Sequence, residues 1–481
     1  MKINKITCTI LSIISAILIS LSICLHHLFI LEFISFIPLF FLIYYSDYKN
    51  TLFFSFISGY ISLSVILFAI TSFNFFIYIA FTLFLTIVFL LLGYAFKLVQ
   101  TKLPFWAIIY ILPTLWLCIE LFLTNSFLSL PLNLGLAQYS NLALIQIADI
   151  YGIFGVSFLV MLVNVCLFYL IIQIRTNMLR IKYFPLLPPI IIIGSVFLYG
   201  LIQLGIVEKN ENSLSVALIQ GNLNFEELVL RYKTRKFHKI SEDRYFNMIM
   251  KSAKHNPDFI IVPESGLMGY FLNLPNLKKK YEDLAISTNS TLIFHGKEHQ
   301  NNNLYSSIFI VSNTGDLIGS SRKFKPIHFA EMAYKHSKTY QPIQTKTANF
   351  GAMICFDVCF PLISRNLVNN NADILIASSN DGRFGYSAFI PLHFAYMPFR
   401  AVENRKYFLS ANNSGISSII NSKGKIIQQT KIYQQDILFG TAFTNTTQTT
   451  FCKSGMLNIF IFLGAYIALG IIGAVYDAKI S

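Results

Sequence analysis

The stretch Gly351-Ala352-Met353-Ile354-Cys355-Phe356-Asp357 combines a buried strand with a reactive side chain. Its first four residues are small or apolar, which is typical of a strand covered on both faces. The strand fixes the position of the thiol at its end, and the following turn offers backbone N–H groups to a developing oxyanion. The pattern predicts a nucleophile at Cys355, although an isolated cysteine is more often a small residue of the core.

The rest of the chain has the composition of a membrane protein. Of its 481 residues, 54% are hydrophobic and only 12% are charged, and the mean hydropathy is +0.58. The net charge of +14 is expected of a protein with basic cytoplasmic loops near anionic lipid. Because no basic stripe with interleaved aromatic residues is present, we do not expect a nucleic acid as a partner.

Eight apolar segments have about the length of roughly 20 residues that a membrane-spanning helix needs. They predict an α-helical transmembrane bundle with spans near residues 6–25, 27–46, 51–71, 75–96, 104–124, 148–174, 183–205 and 456–476. Seven spans then form a first domain at 1–206, an extramembrane domain follows at 207–455, and the last span with a short tail occupies 456–481. Glu120 in the fifth span is costly in lipid, so we expect it to face a polar partner.

The distribution of Lys and Arg predicts the orientation of these spans. The basic residues collect at the start of the chain and in alternate loops: Lys2, Lys5, Lys49, Lys97, Lys102, Arg175, Arg180, Lys182 and Lys479. By the positive-inside rule both termini are cytoplasmic. An odd number of spans then delivers the 207–455 domain to the opposite side, which is the periplasm in a Gram-negative cell.

Neither a metal nor another cofactor is expected. The seven cysteines are scattered and odd in number, and no CxxC or Cys/His cluster has the spacing of a zinc site. There is no Walker motif or GxGxxG pattern, which argues against a bound nucleotide.

From Leu214 onward, short β-rich runs alternate with helical segments, which predicts a layered α/β domain. Polar residues follow several of these strands. Glu264 comes after a run ended by Pro263, where it could act as a fixed base or merely cap a helix. A lone Lys323 is usually solvated, and Asn380-Asp381 is usually a turn. Their recurrence at strand ends within one domain favours a common site.

The order Glu264, Lys323, Cys355 resembles the Glu-Lys-Cys triad of the nitrilase (carbon–nitrogen hydrolase) superfamily. The local patterns that carry this resemblance are Val262-Pro-Glu-Ser265, Arg322-Lys323, Ile354-Cys-Phe-Asp357, Ser379-Asn-Asp381, Arg400-Ala-Val-Glu-Asn404 and Asn412-Asn-Ser-Gly-Ile-Ser417. Together with the spans, the chain resembles the apolipoprotein N-acyltransferase family. The membrane part supports this with Leu134-Gly-Leu-Ala-Gln138, Gly152-Ile-Phe-Gly-Val-Ser-Phe-Leu159 with Asn164, and Val216-Ala-Leu-Ile-Gln-Gly-Asn222.

The resemblance implies a nitrilase-like αββα sandwich and a role for each matched residue. Cys355 would be the nucleophile, Glu264 the general base and Lys323 the cation that stabilises the thiolate and the oxyanion. Glu331 matches a second family glutamate, and Phe356, with its backbone N–H, Asp357, Asn380 and Arg383 would support the site or bind substrate. The implied reaction passes an acyl chain from a phospholipid, through a Cys355 thioester, to the α-amino group of a diacylglyceryl-cysteine lipoprotein.

Such an enzyme would be a monomer in the bacterial inner membrane, with its catalytic domain in the periplasm. Four positions depart from the family pattern: His328-Phe-Ala-Glu331 replaces PFGE, Cys355-Phe-Asp357 replaces CYE, Asn380-Asp-Gly-Arg-Phe-Gly385 carries Arg383 in place of Trp, and no Trp follows Val216–Asn222. These changes leave the triad intact and fall on loops that would form the substrate groove.

Three other functions remain open from the sequence. A membrane-tethered amidase or acyltransferase of the same superfamily with a different acceptor would fit the altered loops. A catalytically inactive lipid- or lipoprotein-binding protein is disfavoured by the intact Glu264, Lys323 and Cys355. A transporter is disfavoured by the large extramembrane domain and by the scarcity of charged residues within the spans.

Overall fold

The computed structural model of the protein describes residues 3–126, 129–176, 184–267, 269–327 and 331–480. Lys2, Arg180, Lys182 and residues 328–330, used in the sequence analysis, lie outside these ranges. The described helices are α1 (Lys5–Cys24), α2 (Ile37–Tyr45), α3 (Tyr48–Ile66), α4 (Phe75–Lys102), α5 (Ile108–Asn125), α6 (Leu142–Ile145), α7 (Ala148–Arg175), α8 (Leu187–Gly205), α9 (Phe225–Lys233), α10 (Arg235–Ala253), α11 (Pro275–Thr288), α12 (Pro361–Asn369), α13 (Phe389–Asn404), α14 (Thr450–Ser454) and α15 (Leu457–Ile480).

The described strands are β1 (Ser213–Gln220), β2 (Phe259–Ile261), β3 (Thr291–Gln300), β4 (Asn303–Val311), β5 (Leu317–Arg322), β6 (Ile343–Gln344), β7 (Asn349–Ile354), β8 (Ile374–Ser379), β9 (Phe408–Asn412), β10 (Ser418–Ile420), β11 (Ile426–Gln429) and β12 (Asp436–Phe443). The chain divides into two compact units. The first comprises residues 1–206, 387–392 and 454–481, and the second comprises residues 207–386 and 393–453.

The first unit is helical, and its apolar helices differ in number from the predicted spans. Among the described residues, six helices are long and apolar enough to cross a membrane: Lys5–Cys24, His26–Tyr45, Phe75–Lys102, Phe105–Asn125, Ala148–Arg175 and Leu187–Gly205. The predicted number of eight is therefore not reproduced. The segment predicted at 51–71 forms α3, whose hydropathy is lowered by Lys49, Asn50 and several serines. The one predicted at 456–476 lies in α15, in which the described apolar stretch is Leu457–Gly473.

Glu120 is buried in α5 and its hydrogen bonds are internal to the first unit. Its carboxylate accepts hydrogen bonds from Trp116 Nε1 at 2.7 Å, Asn133 Nδ2 at 3.0 Å and Leu134 N at 2.8 Å. A buried carboxylate needs several such donors to offset its loss of hydration. Glu120 thus has the polar partners expected from its cost in lipid, and it holds the single-turn helix Leu134–Gln138 in place.

Asn164 and Gly152, both in the motif quoted from α7, have distinct structural roles. Asn164 donates to the Glu32 carbonyl at 2.7 Å and accepts from Phe36 N at 3.0 Å, so it satisfies backbone groups where the chain leaves helical geometry. Gly152 has φ +64°, a left-handed conformation that interrupts α7 and that other residues adopt at a cost. Both features shape the interior of the first unit.

The second unit contains two six-stranded sheets, in the orders β12-β1-β2-β3-β4-β5 and β11-β10-β9-β8-β7-β6. Strands β1, β2 and β3 run parallel to one another, as do β7, β8 and β9, and the strands that flank each of these groups pair antiparallel. Parallel strands buried on both faces read as nearly continuous apolar runs. This explains why β1 and β7 are recognisable in the sequence, and the predicted α/β domain is confirmed.

The apolar side chains of β1 separate into two layers of core. Val216 and Leu218 point into the layer between the two sheets, together with Ile261, Ile354 and others. Ala217 and Ile219 point to the opposite face, toward Tyr245 and Ile249 of α10 and Leu284 of α11. Each large aliphatic side chain buried in this way contributes about 1.5–3 kcal/mol of hydrophobic free energy.

The second sheet is covered on its outer face by α12, where Leu367 lies over Gly351 of β7. The order of layers is therefore helix, sheet, sheet, helix, as the resemblance implies. Because β2, β7, β8 and β9 are central strands, the residues that follow them meet at the carboxyl edges of the two facing sheets. This arrangement positions the candidate site.

Candidate active site

Cys355 occupies a sharp turn at the end of β7. The strand ends at Ile354, and a single 3-10 turn runs from Cys355 to Cys359. Cys355 itself has φ +49°, in the left-handed region that a non-glycine residue occupies at a cost of about 1–3 kcal/mol. The surrounding contacts must hold this conformation, and in it Cys355 remains partly accessible while the strand behind it is buried.

Asp357 joins the Cys355 turn to the segment that carries Lys323. Its buried carboxylate accepts hydrogen bonds from Ile354 N at 3.0 Å, from Phe324 N at 3.2 Å and from Lys325 N at 2.7 Å. Burial raises the pKa of Asp357 to about 6, against the opposing effects of Lys323 and of these N–H groups. The predicted supporting acid therefore fixes the backbone on both sides of the site.

Lys323 follows β5 and is only 1% exposed. Its Nζ lies 2.8 Å from Glu331 Oε1 and 3.9 Å from Glu264 Oε1. Burial disfavours the ammonium, but the carboxylate of Glu264 and the other acidic neighbours outweigh that effect and raise the pKa of Lys323 above its usual value. Lys323 is thus a permanent cation, and the alternative of a solvated surface lysine is excluded by its burial.

Glu264 follows β2 and faces both Lys323 and Cys355. The Cys355 thiol is close enough to the Glu264 carboxylate to stabilise its ionised form. Burial raises the pKa of Glu264 to about 7; Lys323 acts in the opposite direction, and Glu331 adds to the increase. A carboxylate with a pKa near neutrality, in contact with a thiol, is suited to exchange a proton with that thiol.

The loop after Glu264 is held by two residues that the sequence analysis did not single out. Arg231 donates to the Gly266 carbonyl at 2.8 Å and also to the Ser265 carbonyl. His295 Nδ1 accepts from Ser265 N at 3.4 Å, while its Nε2 lies 2.8 Å from Ser306 Oγ. Burial lowers the pKa of His295 to about 3, so it is the neutral imidazole. Neither residue lies in a recognisable motif, and only the tertiary structure identifies them.

The Cys355 thiol is protonated in the resting site. Burial raises its pKa well above the usual value, the carboxylate of Glu264 adds to this, and Lys323 acts in the opposite direction. The cation alone therefore does not create a standing thiolate. A protonated thiol becomes a good nucleophile only when a base removes its proton, and Glu264 is the carboxylate that interacts with the Cys355 thiol.

A second polar group lies behind Cys355, contributed by β8, β9 and α13. His393 Nδ1 lies 3.0 Å from Asp381 Oδ1, and His393 Nε2 lies 3.2 Å from the Cys355 carbonyl oxygen. Asp381 Oδ2 also accepts from Asn412 Nδ2 at 2.6 Å. Asp381 stands in the quoted Ser379-Asn-Asp381 run, whereas His393 is 38 residues from Cys355 and carries no sequence signal.

The donor atoms of Cys355, Asp381 and His393 lie within 4.8 Å of one another, which is close enough to consider whether they could bind a metal ion. Both ring nitrogens of His393 are directed at oxygen acceptors, one at Asp381 and one at the Cys355 carbonyl. We therefore interpret the group as a hydrogen-bonded network.

The other expected site residues lie around the triad in different ways. Glu331 contacts Lys323 directly, and its second oxygen accepts from Ile327 N at 2.8 Å. Asn380 Oδ1 accepts from Gly382 N at 3.1 Å and from Asn413 Nδ2 at 3.0 Å, so it shapes its own turn.

Two further side chains are held by aromatic contacts. The ring of Phe356 packs edge-on against Phe360 with centroids 5.1 Å apart. The exposed Arg383 guanidinium lies 5.1 Å from the ring centroid of Phe225. Of all the residues expected in the site, Arg383 is thus the one displayed toward the exterior of the second unit.

Comparisons with known proteins agree with the layout of the chain. The family model "Carbon-nitrogen hydrolase" matches residues 216–450, and the model "Apolipoprotein N-acyltransferase N-terminal domain" matches residues 15–166. The apolipoprotein N-acyltransferase of Geobacter metallireducens is 30% identical over 358 residues, covering 68% of this chain and 67% of that protein. That of Borreliella burgdorferi is 28% identical over 361 residues, with 67% of each chain covered.

Among solved structures, the Saccharomyces cerevisiae protein Nit3, of the nitrilase superfamily, matches with a TM-score of 0.41 and 18% identity, covering 49% of this chain and 92% of that one.

Proposed function

This chain belongs to the apolipoprotein N-acyltransferase family and is an acyltransferase of the membrane, and we propose that it transfers an acyl chain from a phospholipid to the α-amino group of a diacylglyceryl-cysteine lipoprotein. The observation that supports this chemistry is the position of Glu264: its Oε1 lies 3.9 Å from Lys323 Nζ, and its carboxylate interacts with the Cys355 thiol. A nucleophile, a base and a cation therefore converge on one point.

In the first half-reaction, Glu264 removes the proton of the Cys355 thiol as Sγ attacks the ester carbonyl carbon of the phospholipid. The negative charge that develops on sulfur and then on the carbonyl oxygen is stabilised by Lys323 and by the Phe356 backbone N–H. The ester C–O bond then breaks, and Glu264 returns the proton to the departing lysophospholipid alcohol. The product is an acyl thioester on Cys355.

In the second half-reaction, the α-amino group of the lipoprotein attacks the thioester carbonyl, and Glu264 accepts a proton from the nitrogen. The C–S bond breaks, the amide is released, and Glu264 returns the proton to the Cys355 sulfur. The same base thus serves both steps of a ping-pong scheme. Because Glu264 has a pKa near neutrality, it can both accept and donate a proton at physiological pH.

Both substrates carry lipid anchors, so we place the reaction at a membrane surface. The positive-inside pattern supports a domain at residues 207–455 on the periplasmic side of a bacterial inner membrane, with both termini in the cytoplasm. The enzyme is expected to act as a monomer. Labelling of single cysteines introduced at Lys5 and at Lys254 with a membrane-impermeant maleimide tests this orientation: in intact spheroplasts only the second should react.

The decisive test of the chemistry is to trap the thioester. Purified protein incubated with a phospholipid carrying a labelled acyl chain should acquire the label on Cys355, and hydroxylamine should release it. Cys355→Ala should remove the label entirely, whereas Cys359→Ala, four residues further along, should retain it. Label on Cys359 or on a serine would contradict the assignment.

The acceptor is tested in cells. Expression of the protein in a bacterium depleted of its own lipoprotein N-acyltransferase should restore growth, and mass spectrometry should find a third acyl chain on the N-terminus of a lipoprotein. If the thioester forms on Cys355 but the lipoprotein remains diacylated, the acceptor is a different amine or water.

A further inference from the structure

The left-handed backbone of Cys355 is held from behind by a buried imidazole. His393 is 2% exposed and projects from α13, and its Nε2 lies 3.2 Å from the carbonyl oxygen of Cys355. A strained residue persists only where its neighbours fix it. The hydrogen bond to the Cys355 carbonyl is therefore a direct restraint on the peptide that presents the thiol.

The protonation state of His393 follows from its partners. A backbone carbonyl oxygen can only accept a hydrogen bond, so Nε2 must carry a proton. Nδ1 lies 3.0 Å from one oxygen of Asp381 and 3.2 Å from the other. That contact also needs a proton between nitrogen and carboxylate. A neutral imidazole beside a carboxylate carries one proton on its two ring nitrogens. Both hydrogen bonds form together only when His393 and Asp381 carry a second proton between them.

We propose that His393, anchored by Asp381, is the positioning residue of the nucleophile, and that loss of its extra proton sets the alkaline limit of thioester formation. The proposal rests on the function of Cys355 given above and extends it. His393 touches no reacting atom; it acts through the peptide of Cys355.

The effect of deprotonation can be derived from the two contacts. With a single proton left, the ring keeps only one of its hydrogen bonds. The bond to the Asp381 carboxylate is charge-assisted and stronger than the bond to a neutral carbonyl, so the proton stays on Nδ1. The bare Nε2 then faces the Cys355 carbonyl, lone pair against lone pair. The restraint on the strained turn becomes a repulsion, and the thiol loses its alignment.

The charged groups near His393 favour its doubly protonated state. Burial disfavours the cation, but Asp381 outweighs burial and Glu264 adds to its effect, so the pKa of His393 lies above its usual value of 6.5. Cys355 contributes its carbonyl, and Asn412 holds the Asp381 carboxylate from β9. The ammonium of Lys323 is paired with Glu331 and Glu264. Both ring nitrogens of His393 therefore face acceptor oxygens.

The direction of the pH effect follows. Because the folded pKa is raised, the restraint is fully present below the ordinary pKa of histidine and is lost as the pH rises through the raised value. Ionisation of a thiol or of an acceptor amine would increase the rate over the same range. A fall of activity at alkaline pH is therefore a distinctive sign of this network.

The experiment measures the pre-steady-state rate of thioester formation on Cys355, in detergent with a labelled phospholipid, from pH 5.5 to 9.5. In the unmodified protein this rate should fall at alkaline pH, and we call this fall the alkaline limb of the profile. Asp381→Asn removes the carboxylate that raises the histidine pKa, and it should move the limb to lower pH by about one unit or more. His393→Gln should abolish the limb and lower the maximal rate by about 10–100-fold, with the KM for phospholipid unchanged.

His299→Gln, at an exposed histidine near the end of β3, is the matched control and should leave the whole profile unchanged. If Asp381→Asn lowers the rate but leaves the limb at its original pH, the network is merely structural and the inference is wrong. If His393→Gln does not fold, the inference is still tested by the pH at which the rate of thioester formation falls in Asp381→Asn. Absence of any thioester on Cys355 in the unmodified protein would instead refute the proposed function.

Discussion

The ammonium of Lys323 donates its short hydrogen bond to Glu331, at 2.8 Å, and leaves Glu264 at 3.9 Å. Glu331 thus holds the ammonium, which leaves the Glu264 carboxylate available to the Cys355 thiol. Because the second oxygen of Glu331 accepts from Ile327 N, the same side chain also fixes the segment that follows Lys323. The two glutamates share one lysine but have different tasks.

Glu331→Gln should slow thioester formation by about 10–100-fold, because one of its two acceptors becomes an N–H₂ group facing a donor and a charge-assisted hydrogen bond is worth about 1.5–3 kcal/mol. The single-turnover rate on labelled phospholipid measures this. Glu282→Gln, at the half-buried Lys278–Glu282 pair on α11, is the control and should leave the rate unchanged. A rate equal to that of the unmodified protein in Glu331→Gln would contradict the role given to Glu331.

Glu264 should give the acid limb of the pH–rate profile. Burial raises its pKa to about 7, and only the ionised carboxylate can accept the thiol proton. The rate of thioester formation should therefore fall about tenfold for each pH unit below that value. Glu264→Gln should lower the maximal rate by about 10²–10⁴-fold and remove the limb. Persistence of the limb in Glu264→Gln would assign it to another group.

Asp357→Asn should loosen both loops of the site at once. Its carboxylate accepts from the N–H groups of Ile354, Phe324 and Lys325, and an amide would direct its own N–H₂ at some of these donors. We expect a loss of about 1–3 kcal/mol in stability, visible as a lower apparent unfolding temperature in detergent, together with slower thioester formation. Asp243→Asn, on the exposed face of α10, should change neither. Normal stability in Asp357→Asn would contradict this account.

Arg383→Trp should change the choice of donor lipid. The exposed guanidinium lies over Phe225, and it can pair with an anionic head group. The expected loss is a roughly two- to fivefold preference for phosphatidylglycerol over phosphatidylethanolamine, the size of an exposed ion pair. Competition between the two lipids measures it, with Arg383→Lys retaining the preference. Unaltered donor preference and turnover in Arg383→Trp would show that Arg383 does not recognise the lipid head group.

Much of the architecture is predictable from local pattern. The apolar runs of β1 and β7 indicate buried strands because a parallel strand covered on both faces must be apolar throughout. The number of spans is less predictable, since α3 carries Lys49, Asn50 and several serines and lies at the border of what hydropathy can distinguish. For such helices packing against neighbours, and not composition, decides the environment.

The sequence by itself determined the family and predicted Glu264, Lys323 and Cys355 as the residues of one site, because each of these is recognised from a local pattern of residue types. Only the tertiary structure decided what surrounds Cys355. Asp357 binds the backbone of two loops, and His393 reaches the Cys355 carbonyl across 38 residues. Such contacts depend on which segments of the chain meet at the edges of the sheets. A hydrogen bond to a backbone atom does not require a particular side chain at the residue it restrains, so it cannot be predicted from that residue's type.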